Sequence, residues 1–552
     1  MEPLMIKTIK KLSLIALITG AAACSEQATT DVKTAEVEKA RIQAHLEFLA
    51  DDLLEGRDTG SKSYEIAANY VATEFKKLGL QPAGEDGYFQ RVPFRRGYLN
   101  QQTTKAIIGE GDNAVALKYP QDYMMSTLMN STEASVSADA VFVGYGLIAD
   151  KYQHNDYEGL DVNGKIVVIL NGRPEAWPSE EGAHLASGKE KAKHAADRGA
   201  VGIITLHTPK REKVRSYTSS LNYLGSPSLR WVDKEQNPFG SRKEIKAGAY
   251  LNLEAGKKLF VNAPQTLEQI FTLDNDNKAI KGFDLKTSVE LAASSRHESI
   301  SSSNVLAVLP GSDPKLKDEY VVFTAHLDHI GLAKDVTTKD RINNGAMDNA
   351  SGVSILLETA RILATSEAPR RSILFTVVTG EEKGLLGASY FVNNSTVPLN
   401  SMVANVNLDM PVLLYDFADV IAFGANHSSM GSIVESAAGQ LDLALSPDPM
   451  PEQAIFTRSD HYNFVKKGIP AVFLMTGFTS KTPGEDGGKV WGEFFANHYH
   501  KPTDSLDLPI NYDSAKLFAE VNIRIAMTVA NQDDRPYWLE DSFFGQTFAP
   551  KD

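Results

Sequence analysis

The chain has 552 residues, 42% of them hydrophobic and 23% charged, a composition that excludes a disordered or collagen-like polymer and leaves room for two or three domains with sizeable cores. The formal charge of −14 is spread along the chain, with no Lys/Arg run beyond the short "TIKKL" near the start, which argues against a nucleic-acid partner. Cys24 is the single cysteine, so intramolecular disulfides and cysteine-based metal sites are excluded.

In chain order, Lys7, Lys10 and Lys11 precede the apolar "LSLIALITGAAAC", which reads as a targeting segment too short to span a bilayer as a stable helix. "GAAAC" resembles the lipobox of bacterial lipoproteins, with Ala21 where leucine is usual. That resemblance implies removal of residues 1–24 as a signal peptide, lipidation at Cys24, and residues 25–36 as a polar tether. It places the chain in the bacterial periplasm or outer membrane, with membrane association through the lipid only. Ordinary secretion with cleavage near Ala23 is the alternative.

From residue 37, "RIQAHLEFLADDL" and "SYEIAANYVATEFKKLGL" repeat apolar residues every three or four positions and predict helices. Between about 125 and 290 the chain turns to short strands, such as "ADAVFVGYGLIA" and "NGKIVVILNGRP", with a helix in "GKEKAKHAADRGAVGIITL". This stretch reads as an insertion, and the polar "SSRHESISSSN" reads as a linker leading out of it. From 304 to 535 near-continuous apolar strands alternate with amphipathic helices, which predicts an α/β fold with a mixed, largely parallel central sheet flanked by helices. Ligands of such sheets lie beyond the carboxyl ends of the strands.

Just past those strands stand His326, Asp328 and His329 in "VVFTAHLDHIG", Glu381 and Glu382 in "TVVTGEEKG", and Asp409 in "ANVNLDMP". Asp348 opens a helix in "NNGAMDNASG", and "FANHYHKPTDSLD" adds His498 and His500. Singly, each has an ordinary explanation: Asp348 as a helix cap, Asp409 as a strand end, either histidine as a surface residue. Together they bring imidazoles and carboxylates to one sheet edge with no comparable density of basic groups, and a metal cluster is the usual means of neutralising such carboxylates. Imidazole and carboxylate without thiolate suit zinc, with manganese and cobalt also compatible. The chain has no HExxH, no GxSxG and no Walker A sequence, which leaves a two-metal hydrolase.

"TAHLDHIG", "GAMDNASGV", "TGEEKGLLGA", "NLDM" and "YHKPTD", in this order, resemble the M28 metallopeptidases of the dizinc aminopeptidase type. The resemblance implies a zinc-peptidase (phosphorylase/hydrolase-like) catalytic domain over 37–124 and 291–535, followed by a C-terminal tail at 536–552. "FVGYG", "LDVNGKIVVIL" and "AADRGAVGIITL" are similar to the protease-associated (PA) domain, implying a β-rich PA insertion at 125–290.

The family pattern implies two Zn²⁺ per chain, one held by His326, Asp348 and Asp409 and the other by Asp348, Glu382 and His500, with Asp348 bridging. It implies Glu381 as general base toward a metal-bridged hydroxide, Asp328 as the residue that orients His326, and Tyr499 as a hydrogen-bond donor to the developing oxyanion. Arg458, Asp460 and His461, in "FTRSDHYNF", are expected at the rim as substrate contacts or else as structural residues; His329, His427 and His498 take no role from the family. The function implied is a zinc-dependent exopeptidase, an aminopeptidase acting on peptide substrates. The alternatives are a glutamate-carboxypeptidase-like peptidase, a glutaminyl cyclase and a non-catalytic receptor-like binding protein.

Overall fold

The structure is a computed structural model that describes residues 36–550 except 335, 336 and 338; Cys24 and the targeting segment lie outside the described residues. The predicted elements form where the periodicity places them. Two helices, α1 (Lys39–Leu49) and α2 (Lys62–Lys77), lead into the long strand β1 (Phe89–Ile108). The insertion contributes β2 (Glu133–Phe142), β3 (Ile166–Leu170), α3 (Gly188–Ala196), β4 (Gly202–Leu206) and β5 (Ala247–Leu251). After it come β6 (Phe283–Leu309), β7 (Tyr320–His326), α4 (Ser351–Thr365), β8 (Ser372–Val378), β9 (Met402–Leu408), β10 (Asp419–Phe423), β11 (Ala471–Thr476) and α5 (Tyr512–Asn531).

In the lobe expected to be catalytic, and called so below, the sheet runs β10-β11-β9-β7-β8-β6, with β11, β9, β7 and β8 mutually parallel and β10 and β6 antiparallel at the two sides. Because successive side chains of a strand face opposite ways, the apolar runs bury both faces. Phe323 and Phe375 stack on one face, where Phe75 of α2 meets them. Val322 and Leu374 point to the other, against Phe391 and Phe464. The insertion repeats this with a smaller parallel sheet, β2-β3-β4-β5: Ile166, Val168 and Leu170 enter one core, while Val167 and Ile169 enter a second core that Ala195 of α3 helps to close.

The serine-rich segment expected as a linker is instead strand, inside the 27 residues of β6. It pairs antiparallel with β1 from Ser294↔Asn100 to Val305↔Phe89, so its main-chain groups are satisfied by the ladder although its side chains are polar. Ser295, Ser302 and Asn304 are buried in that ribbon. The first part of β6 pairs with β2 of the insertion and its last part with β8 of the catalytic lobe, so one strand belongs to both.

The C-terminal segment packs back onto the catalytic lobe: Phe544 is fully buried, and the Trp538 indole donates to the carbonyl of Gly468. Among the described residues no helix is long and apolar enough to cross a membrane.

Candidate metal centre

β7, β8 and β9 run parallel, so their carboxyl ends open on one edge, and His326, the Glu381–Glu382 turn and Asp409 all sit there. Asp348 reaches the same edge from the turn before α4. It does not cap that helix, whose N-cap is Ala350 with no side-chain cap bond, so its carboxylate stays available.

Asp348 joins two groups of donors. Its Oδ1 lies 3.2 Å from His326 Nε2, which is 3.1 Å from Asp409 Oδ1. Its Oδ2 lies 3.2 Å from His500 Nε2, which is 3.1 Å from Glu382 Oε2. The five residues expected as donors thus lie together, and the structure adds a sixth. His329, fully buried, holds Nδ1 2.7 Å from Glu382 Oε1 and 3.9 Å from Asp348 Oδ2. His326, Asp348 and Asp409 form one set of donor atoms converging within 4.8 Å of one another, and His329, Asp348 and Glu382 form another. Both ring nitrogens of His329 and Oε1 of Glu382 are buried without a well-formed hydrogen bond, which is what donors turned toward a cation look like. The donor set therefore fits divalent metal ions.

The surrounding shell sets these donors in place. The Nδ1–H of His326 donates to the carbonyl of Asp328 at 3.0 Å, which turns Nε2 toward Asp348 and Asp409. Asp328 meets His326 through its backbone oxygen, while its carboxylate accepts from the backbone N–H of Glu381 at 3.1 Å and of Glu382 at 3.4 Å, and from the Thr59 hydroxyl. Asp409 Oδ2 accepts from the Ser459 hydroxyl. Asp504, buried, accepts from the backbone N–H groups of Met347 and Asp348 at 2.9 and 3.1 Å. Asn349 ties the same turn to the end of β9 by donating to the Leu408 carbonyl and accepting from the Met410 N–H.

Arg57 is buried beneath the acids, its guanidinium donating to the carbonyls of Leu49, Leu327, Asn344 and Gly345. The cluster thus rests on a fixed positive charge. Burial brings that guanidinium down to about 10, against the pull of Asp504, Asp328 and Asp348.

The two adjacent glutamates separate electrostatically. Burial, then Asp409 and Glu382, push the Glu381 carboxyl well above its ordinary range despite His326. For Glu382, burial and Asp348 push upward, but His500 and His329 prevail and hold it at about 2. His500 is raised to about 11: burial lowers it, and Glu382 and Asp348 more than reverse that. The imidazoles hold protons where a cation would replace them, an exchange expected of a metal site.

A cavity of about 50 Å³ opens on this centre, lined by Glu381, Arg458, Tyr499 and the apolar Met410, Ile455, Phe473, Met475 and Phe495. Tyr499 stacks on His500 with ring centroids 3.9 Å apart. Asp460 and His461, expected at the rim, are fully buried instead, their chain turning into the helix His461–Val465 behind the wall. His427 pairs with Glu180 of the insertion at 2.6 Å, and His498 Nδ1 donates to the Thr503 carbonyl, so neither joins the centre.

Residues 304–526 match the family model described as Peptidase family M28. The chain is 26% identical over 488 residues to the "probable leucine aminopeptidase 2" of Aspergillus oryzae, covering 86% of this chain and 79% of that one. It is 28% identical over 486 residues to the "Probable lipoprotein aminopeptidase LpqL" of Mycobacterium tuberculosis, covering 84% and 80%. Among solved structures, the fold is similar to an aminopeptidase from Aneurinibacillus sp. strain AM-1, with a TM-score of 0.53 at 20% identity over 91% of this chain and 96% of the other.

Proposed function

Because the chain carries a peptidase family M28 domain over residues 304–526, we propose that it is a zinc-dependent aminopeptidase that binds two metal ions and removes N-terminal residues from peptides. The observation that carries this reading is the pair of donor sets sharing Asp348, with Glu381 on the cavity wall and in neither set. His326 and Asp409 would hold one ion and Glu382 and His500 the other, with Asp348 between them. Bound zinc supplies Lewis-acid polarisation of the scissile carbonyl and makes water acidic enough to react. Glu381, raised well above the ordinary carboxyl range, accepts the proton of the attacking water and returns it to the leaving amine. Tyr499, which lines the same cavity, donates to the developing oxyanion. The apolar wall formed by Ile455, Phe473 and Phe495 suits an apolar N-terminal side chain.

Arg458 on the same wall favours one second reading, a carboxypeptidase whose substrate carboxylate pairs with the guanidinium. Hydrolysis of leucyl p-nitroanilide, abolished by a chelator and restored by zinc, tests the first reading. A folded, zinc-loaded protein that cleaves N-acetylated peptides and spares free amino termini would replace it with the second.

Residues 125–290 are read as a PA domain on their motifs. The relative named as a lipoprotein aminopeptidase supports export as a lipoprotein modified at Cys24. Palmitate labelling lost in Cys24→Ser tests that, and an unlabelled, freely soluble protein would sink it.

A further inference from the structure

A second cavity, of about 1100 Å³, lies between the insertion and the catalytic lobe, and its wall is basic. Six cations line it, Lys189, Arg230, Arg242, Lys243, Lys246 and Lys466, against two carboxylates, Glu133 and Glu190. The whole chain carries −14, so this local excess runs against its overall sign. Among the described residues none of the six makes an ion pair; Arg230 donates to the Leu229 carbonyl, and the Lys466 ammonium lies 5.0 Å over the Tyr462 ring. Burial and then Lys189 bring Lys466 down to about 7 against the pull of Glu190, so the other five supply most of the positive charge. Like charges gathered in a cleft with low-dielectric walls focus an attractive field on an anion.

The position of the cavity says which anion. The 455–458 turn separates it from the metal centre: Thr457 lines the basic cavity, while Ile455 and Arg458 line the catalytic one. Leu385, three residues after Glu382, is also on the basic wall. A peptide with its N-terminus at the metal centre therefore has this cavity on the far side of that one turn.

We propose that the basic cavity receives the acidic side chains and terminal carboxylate of peptide substrates, making the chain selective for peptides with acidic residues after the cleaved one. This rests on the aminopeptidase reading for its catalytic consequence, though not for the binding itself. The test uses the full zinc-loaded chain with Leu-Ala-Glu-Glu-Glu and Leu-Ala-Gln-Gln-Gln. At low salt the acidic peptide is expected to have at least tenfold higher kcat/KM, and Lys243→Gln/Lys246→Gln, at exposed positions that do not threaten folding, to cut that ratio severalfold. Arg230→Gln, deeper in the wall, should cut it further. Equal kcat/KM for the two peptides, or a ratio unmoved by the substitutions, overturns the proposal. Calorimetry with N-acetylated Ala-Glu-Glu-Glu reads binding without turnover: binding weakened by the same substitutions supports the site, and no binding, or tighter binding of inorganic phosphate, overturns it. If the acetylated peptide binds this way while leucyl p-nitroanilide is not cleaved, the cavity stands and the aminopeptidase reading falls.

Discussion

The Asp328 carboxylate accepts the backbone N–H of Glu381 at 3.1 Å, so the end of the strand that carries the His326 imidazole also fixes the turn that carries both glutamates. Asp328→Asn puts an amide with two donors against two N–H groups and loosens the turn. Losses in activity of about 10–100-fold are typical when an outer partner of a metal site is removed. We expect kcat to fall within that range with the fold retained, checked by kinetics beside circular dichroism. An unchanged kcat would show that the turn holds itself.

The two glutamates differ in what their loss removes. Glu381→Gln keeps the shape but cannot take a proton, so turnover should drop by about 10²–10⁴-fold with two zinc ions still bound. Glu382→Ala removes a donor and should lower the zinc content itself. Metal analysis of the two purified variants separates the roles, and equal zinc loss in both would break the assignment.

His329 stands 2.7 Å from Glu382 and closes the second donor set. His329→Phe should weaken zinc binding on the Glu382–His500 side by about 10–100-fold, read by competition with a chromogenic chelator. Zinc affinity equal to the parent would reduce His329 to a packing residue.

His461 is fully buried against Phe456 and Phe473, and burial lowers its imidazole to about 3 from the ordinary 6.5. The unfolded chain binds this proton below pH 6.5, whereas the folded chain refuses it until about pH 3. The stabilisation is therefore complete above 6.5 and is lost as pH falls, at about 1.4 kcal/mol per unit. His461→Leu should lose about 2 kcal/mol less than the parent between pH 7.5 and pH 5, measured from urea midpoints. Parallel losses in both proteins would refute it.

The strand ends were readable because a buried parallel strand announces itself as an apolar run and its first polar residues fall at the active edge, as His326, Glu381 and Asp409 do. What escaped were residues whose partners are remote in the chain. Arg57 meets Leu327 and Gly345 more than 250 positions away, and Asp504 meets Asp348 across 156. Ser459 gave no local signal either, since a serine before a short helix ordinarily serves its own backbone. The strand over 294–304 was misread because serines suggest a linker by composition, while the ladder partner that makes them a strand lies near residue 95. Asp460 was misplaced because a turn of helix swings it behind the wall that Arg458 lines.

The strand shared by insertion and catalytic lobe makes the insertion a poor candidate for excision. Cutting at residues 125 and 290 would sever β6 within its pairing to β1 and leave the catalytic lobe with an unpaired edge. Both lobes should therefore melt in one calorimetric transition, and strain applied to the insertion should travel along the β1–β6 ribbon to Thr379, which Ser302 and Asn304 of that ribbon hold by hydrogen bonds two residues before Glu381. The insertion and the turn that carries Glu381 are thereby parts of one hydrogen-bonded ladder.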